Sequence, residues 1–115
     1  MTQPTIDLAT FDELKQTAGA DFIMELVDTF LAEAPLLLDE LRRSFATRDA
    51  NVFRRAAHSL KSNSNTFGAH TLGAMARELE LAGLDPVVRA NGQPLEALAQ
   101  EYARVTAALT ELRDA

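Results

Sequence analysis

The chain has 115 residues, a formal net charge of -6, 47% hydrophobic and 24% charged residues, and no cysteine. This balance excludes a disordered tail and a multidomain enzyme, and we expect a single domain over residues 1–115. The absence of cysteine excludes disulfides, thiolate nucleophiles and cysteine-bound metal clusters. No apolar stretch approaches the length of a membrane span, and the N-terminus lacks the pattern of a secretory signal. We therefore expect a cytoplasmic protein that does not bind a membrane.

The charge is unevenly distributed along the chain. The balance is -8 over residues 1–40, +5 over residues 41–61 and -3 over residues 62–115. The acidic total argues against a general nucleic-acid binder, since such proteins are usually basic. One short basic segment thus lies inside an acidic protein.

Apolar residues repeat at helical spacing throughout, and no segment alternates as a strand does. Thr10 and Glu13 form a capping box that predicts a short first helix, which Gly19 ends. Asp21 is predicted to cap a long second helix. The apolar stripe of that helix stays in phase across Pro35, which indicates one bent helix rather than two.

Asp49 is predicted to cap a third helix that ends near Phe67. A fourth helix is predicted over 70–82, a loop with at most one helical turn over 84–94, and a last helix over 95–112. The sequence therefore predicts an all-α protein: an up-and-down antiparallel four-helix bundle with a short additional N-terminal helix.

His58 falls near the middle of the outward face of the third helix. Arg54 and Arg55 lie one turn before it, and Lys61 and Ser62 lie one turn after it. The flanking cations favour a neutral, nucleophilic imidazole, and the small Ser62 leaves room for an anion. The alternative is an ordinary exposed histidine on a basic helix face.

A polar run over residues 62–65 lies inside this helix, although its serines and asparagines favour helix only weakly. Such a local inconsistency often marks a functional segment. The stretch from His58 through Leu60, Lys61 and Ser62, with Gly68 ten residues after the histidine, resembles the signature of histidine-containing phosphotransfer (HPt) domains. Their usual pattern is His-x-Leu-Lys-Gly with a second glycine ten positions after the histidine, so Ser62 departs from the commonest residue.

The resemblance implies that His58 accepts a phosphoryl group from the aspartyl phosphate of a receiver domain and passes it to another receiver. It implies that Lys61 neutralises phosphoryl oxygens and that Ser62, as a small residue, gives access. Glu80, 22 positions beyond the histidine, is the candidate for orienting the imidazole. The alternative for Glu80 is a solvated surface glutamate.

The implied partners are the receiver domains of hybrid sensor kinases and response regulators, which dock on the second and third helices around His58. Arg54, Arg55 and Asn65 are candidate partner-binding residues. We expect an exposed Lys61 side chain, and we expect His70 to cap the fourth helix or pack near its start rather than react. The chain has no expected cofactor, since the receiver brings the magnesium. We expect a monomeric phosphocarrier without autokinase activity.

Three other functions stay open at this point. The chain can be an excised phosphoacceptor domain of a larger hybrid or chemotaxis-type kinase, although Met1 and the helical end near Ala115 favour a free-standing protein. It can be the dimerisation and phosphoacceptor part of a sensor histidine kinase, although Ser59 stands where that class normally has an acid. It can also be a non-catalytic helical adaptor in which His58 is incidental.

Overall fold

Six helices make up nearly all of the computed structural model, which describes residues 5–114. They are α1 (Leu8–Ala18), α2 (Ala20–Thr47), α3 (Ala50–Thr66), α4 (His70–Ala82), α5 (Leu84–Arg89) and α6 (Gln93–Asp114). Going round the bundle, α2 packs on α3, α3 on α4, α4 on α6 and α6 on α2. The predicted all-α four-helix bundle with an additional N-terminal helix is confirmed.

The first helix begins earlier than the sequence predicted. α1 starts at Leu8, and the Asp7 carboxylate accepts hydrogen bonds from the backbone N–H groups of Ala9 (3.1 Å) and Thr10 (3.4 Å). The predicted capping box at Thr10 and Glu13 is wrong. The helix is capped three residues before Thr10, by Asp7, whose carboxylate accepts from free backbone N–H groups of the first turn.

α2 is one helix of 28 residues that continues through Pro35, as its unbroken apolar stripe predicted. Gly19, with φ of 95°, ends α1 and leads directly into Ala20. The prediction that Asp21 caps α2 is wrong, because this glycine joins the two helices with no residue left over for a side-chain cap. Asp21 lies in the first turn instead, where its charge complements the helix dipole.

α3 and α4, which carry the candidate site, have the predicted bounds. The Asp49 carboxylate caps α3 by accepting from the N–H of Val52 at 3.2 Å. In the turn to α4, Gly68 has φ of 82°, and its carbonyl accepts from the N–H of Asp7 at 2.8 Å. A Cβ on Gly68 would lie 2.8 Å from the Asp7 carbonyl oxygen, so only glycine fits. The end of α3 is thereby fastened to the start of α1.

The segment predicted as a loop is largely helical. α5 buries Leu84 and Val87, and Pro86 lies in its first turn, where a backbone N–H has no helical partner to lose. Asn91 and Gly92 both have positive φ and form the connection to α6. α6 therefore starts two residues earlier than the predicted bound.

The core lies along the inner faces of α2, α3, α4 and α6, and α5 also contributes buried residues to it. Its largest fully buried apolar side chains are Ile23, Val27, Leu41, Phe53, Leu60, Leu72, Val87, Leu98, Val105 and Leu109. Within residues 5–114, no helix is both long enough and apolar enough to cross a membrane.

Small residues line the interface between α3 and α4, the most extensive helix pair of the bundle. On α3 these buried residues are Ala57, one turn before Lys61, and Ser64, one turn after it. On α4 they are Gly73 and Ala76, which lie two turns and one turn before Glu80. Because the distance between packed helices depends on the side chains at their contact, this interface brings the two helices close together.

Candidate functional site

His58 lies on the outward face of α3, with 57% of its side chain exposed. Its Nδ1 atom is 2.6 Å from Oε2 of Glu80 on α4. A carboxylate oxygen accepts hydrogen bonds only, so Nδ1 carries the proton and donates it. In the neutral ring the nucleophilic lone pair is then on Nε2.

The second oxygen of the same carboxylate binds a cation. Lys61 Nζ donates to Glu80 Oε1 at 2.9 Å. This hydrogen bond from the ammonium group holds the pKa of Glu80 below its ordinary value of 4.5, against the opposing effect of desolvation. The hydrogen bond from His58 lowers the pKa of Glu80 further. Glu80 is therefore ionised at neutral pH and holds the imidazole and the ammonium group together.

The expectation of an exposed Lys61 is wrong. Only 24% of its side chain is exposed, and its ammonium group reaches from α3 across to Glu80 on α4. Glu80 is itself only 18% exposed, so it is not the solvated surface glutamate of the alternative reading.

A depression between α2 and α3 opens beside His58. Ser62 is exposed and lines it together with His58, so the structure brings these two predicted site residues together. The remaining residues around the depression are Glu33, Leu36, Leu37, Glu40, Ser59 and Asn63.

Sequence reasoning missed most of these lining residues. The one signal available in the sequence was that Leu36 falls outside the apolar stripe of α2. In the structure Leu36 is 65% exposed. Glu33 and Glu40 flank it at helical spacing.

The three candidate partner-binding residues lie at different places around α3. The guanidinium group of Arg54 lies beside Gly83, at the corner between α4 and α5. Arg55 lines a depression between α2 and α3 that adjoins the one beside His58, since both are lined by Glu40 and Ser59. The amide of Asn65 fills the space above Gly73 on α4.

His70 lies at the other end of the α3–α4 pair from Glu80. Its Nε2 is 3.5 Å from Oδ2 of Asp7 and 3.5 Å from Oγ1 of Thr10. The ring thus packs where α4 begins, next to the start of α1. Among residues 5–114, no three His, Cys, Asp or Glu side chains cluster as a metal site requires.

Comparison with known proteins identifies the family. A family model described as the Hpt domain matches residues 25–115. The chain belongs to the Hpt domain family. This membership supports a histidine phosphotransfer role in two-component systems, with receiver-type domains as partners. Members of this family are phosphocarriers rather than kinases.

Two further comparisons agree with this assignment. The HPt chain is similar to the crystal structure of histidine-containing phosphotransfer protein B (HptB) from Pseudomonas aeruginosa PAO1. The TM-score is 0.88 at 26% identity, over 98% of this chain and 97% of that one. It is 33% identical over 76 residues to the sensor protein TorS of Escherichia coli K12, a match that covers 66% of this chain and 8% of TorS.

A third comparison shows a shared fold alone. The HPt domain of a Shewanella sensor hybrid histidine kinase superposes with a TM-score of 0.73 at 18% identity, over 92% of this chain and 95% of that one.

Proposed function

We propose that His58 accepts a phosphoryl group from the aspartyl phosphate of one receiver domain and passes it to the aspartate of a response-regulator receiver. The observation that carries this proposal is the exposed imidazole whose Nδ1–H is held by Glu80 at 2.6 Å. That bond fixes the ring orientation and leaves Nε2 as the attacking nitrogen.

In the accepting step, the Nε2 lone pair forms a bond to phosphorus while the bond from phosphorus to the receiver's aspartyl oxygen breaks. The receiver carboxylate leaves with the electron pair. The proton stays on Nδ1 and remains bonded to Glu80, whose negative charge stabilises the positively charged phospho-imidazole ring. In the passing step a second receiver aspartate attacks phosphorus, and the electron pair returns to Nε2.

Lys61 and Ser62 shape the space above the ring. The Lys61 ammonium group, held by Glu80 at 2.9 Å, supplies positive charge where the phosphoryl oxygens carry negative charge. Ser62 keeps the approach open because its side chain is small and can donate a hydrogen bond to a phosphoryl oxygen. The Glu80 carboxylate, which contacts His58, is already occupied by two donors, and no three potential ligands cluster within residues 5–114, so we assign the magnesium ion to the receiver.

We further propose that residues 1–115 form one HPt domain that acts as a cytoplasmic monomer and has no autokinase activity. The apolar stripes of the helices are about what the bundle needs to fill its own core, which supports a monomer.

The test is transfer from a panel of receiver domains charged with acetyl phosphate and magnesium. Wild type and His58→Ala are compared, with His70→Ala as the matched control because His70 lies at the opposite end of α3–α4. We expect label on wild type and His70→Ala and none on His58→Ala. Label on His70, or an equally labelled His58→Ala protein, contradicts the assignment.

Two further measurements separate the phosphocarrier from the kinase module. The labelled protein should lose phosphate in mild acid and keep it in base, as a nitrogen–phosphorus bond does. Incubation with ATP alone should leave the protein unlabelled. Labelling by ATP without any other protein would instead support the hypothesis that the chain is the phosphoacceptor part of a sensor histidine kinase.

The match to TorS supports a second candidate: the phosphoacceptor domain of a larger sensor kinase, since the match spans only 8% of TorS. The site chemistry is the same, but the donor receiver then belongs to the same polypeptide. An antibody raised against this chain, used on extracts of its source, distinguishes the two. A band at the mass of 115 residues supports the free-standing protein, and a much larger band supports the hybrid kinase.

A further inference from the structure

The depression beside His58 is part of a longer groove between α2 and α3. Three adjoining depressions follow one another along this interface. The first two share Glu33 and Asn63, and the last two share Glu40 and Ser59. His58 therefore lies on the rim of a continuous groove rather than above an isolated hollow.

The α2 wall of this groove has a regular charge pattern. Glu33 and Glu40 are exposed and seven residues apart, which places them on one helix face about 10 Å from each other. Leu36, the side chain between them, is 65% exposed. Neither glutamate takes part in the ion pairs formed within residues 5–114.

The basic segment of the sequence does not neutralise both acids. Arg55 lines the same depression as Glu40 and lies at that end of the groove. At the other end, the polar residues that line the groove with Glu33 are the uncharged Thr29, Asn63 and Thr66. The α2 wall is thus an apolar contact between two carboxylates, with a cation near only one of them.

We propose that Glu33 and Glu40 determine which receivers this protein serves. The groove takes a receiver that places an apolar side chain on Leu36 and a cationic side chain on each glutamate. A receiver cleft that binds magnesium and carries an aspartyl phosphate is itself rich in carboxylates. The two glutamates repel the carboxylates of that cleft. In the docked complex the receiver cleft therefore lies over His58 on α3, and the cationic surface next to the cleft contacts α2.

This inference rests on the proposed function, and its test uses the receiver that transfers fastest to wild type in the panel described above. The variant is Glu33→Lys combined with Glu40→Lys. The matched control is Glu13→Lys combined with Glu111→Lys, which makes the same charge change at exposed positions on α1 and α6. Phosphoramidate serves as a small phosphodonor for all three proteins: its nitrogen–phosphorus bond breaks, Nε2 gains the phosphoryl group and ammonia leaves.

At an ionic strength of about 0.01 M the Debye screening length is about 30 Å. Under this condition we expect the groove variant to accept phosphate from the receiver about tenfold more slowly than wild type. At about 1 M, where charges act over about 3 Å, the difference should largely vanish. The control should slow by a clearly smaller factor, because its lysines lie on α1 and α6, outside the groove, and the effect of a charge falls with distance from the contact. Phosphoramidate should label all three proteins equally.

The possible failures are distinct. If no receiver transfers to wild type, the proposed function fails and this inference fails with it. If wild type accepts phosphate but the groove variant matches it, or the control slows as much, the glutamates do not select the receiver and the proposed function stands. Unequal labelling by phosphoramidate would mean that the substitutions act on His58 itself. Sedimentation showing that wild type self-associates and the groove variant does not would assign the groove to a second copy of the chain and overturn the inference.

Discussion

Replacing Lys61 by methionine removes the ammonium group but keeps an unbranched side chain that can fill the same space between α3 and α4. The structure makes this distinction necessary, because the Lys61 side chain is 24% exposed and its head group binds Glu80. An alanine at this position would remove both the charge and the covered methylene groups, and each methylene contributes up to about 0.8 kcal/mol when fully buried.

The two substitutions should therefore have different effects on stability and similar effects on rate. A single charge-stabilising group in an enclosed site contributes about 10²- to 10³-fold to the rate. The Lys61 side chain is partly exposed to solvent, so we expect transfer to slow by about 10- to 100-fold, or about 1.4 to 2.8 kcal/mol. Lys61→Ala should also lose about 1 kcal/mol of stability, whereas Lys61→Met should stay within about 0.5 kcal/mol of wild type.

The assay is single-turnover transfer from a phosphorylated receiver, with urea unfolding of each protein. Lys61→Arg is the control that keeps the positive charge, and it should transfer faster than Lys61→Met. If Lys61→Met transfers at the wild-type rate, the ammonium group does not stabilise the phosphoryl group and Lys61 is only a structural partner of Glu80.

Three other predictions concern the surroundings of this site. The Glu80 carboxylate has a pKa below its ordinary value of 4.5, because the Lys61 ammonium group and the His58 N–H donate hydrogen bonds to it. The ionised carboxylate therefore stabilises the folded state above pH 4.5. This stabilisation is lost as the pH falls through the lowered pKa. Urea unfolding should therefore show Glu80→Gln as less stable than wild type at neutral pH, with a difference that shrinks in acid; a constant difference would refute the linkage. Ser62→Gln should block transfer at unchanged helicity, while Ser62→Gly keeps most of the rate at a helix cost of about 0.5 kcal/mol; transfer assays and circular dichroism check both, and normal transfer by the glutamine variant would mean that the phosphoryl group approaches elsewhere. Gly68→Ala should cost about 2 kcal/mol or more in unfolding free energy, because the residue has φ of 82° and its Cβ would lie 2.8 Å from a carbonyl oxygen. Gly19→Ala, with positive φ but no atom within 4 Å of the new Cβ, should cost less, and equal losses would contradict the steric argument.

The features that sequence reasoning found are local in the chain. The outward position of His58 follows from helical periodicity within α3, and the bounds of α3 and α4 follow from a cap and two glycines. Glu80 became a candidate only through the family resemblance, since nothing local shows that its carboxylate reaches across to another helix. The covered state of Lys61 was missed for the same reason.

Tertiary contacts decide the features that were missed. Asp7 and Thr10 are both good capping residues, and the local sequence does not rank them. The hydrogen bond from the Asp7 N–H to the Gly68 carbonyl holds the start of α1 against the end of α3 and places the cap at Asp7. α5 is short and contains a proline, so burial of Leu84 and Val87 stabilises it rather than intrinsic helix preference.

The small residues between α3 and α4 allow these two helices to pack closely, and the distance between them affects the contact between Glu80 and His58. The 2.6 Å contact between His58 and Glu80 joins α3 to α4 and depends on the distance between these two helices. A bulky residue at buried Ala57 or Ala76 would push the helices apart and withdraw the carboxylate from the imidazole. Under the proposed function, we therefore expect transfer to be lost when one buried apolar residue is exchanged for a larger one, with every polar group of the site still present. Variants that lose function in this way would look conservative in sequence, and only the distance between the helices would reveal their defect.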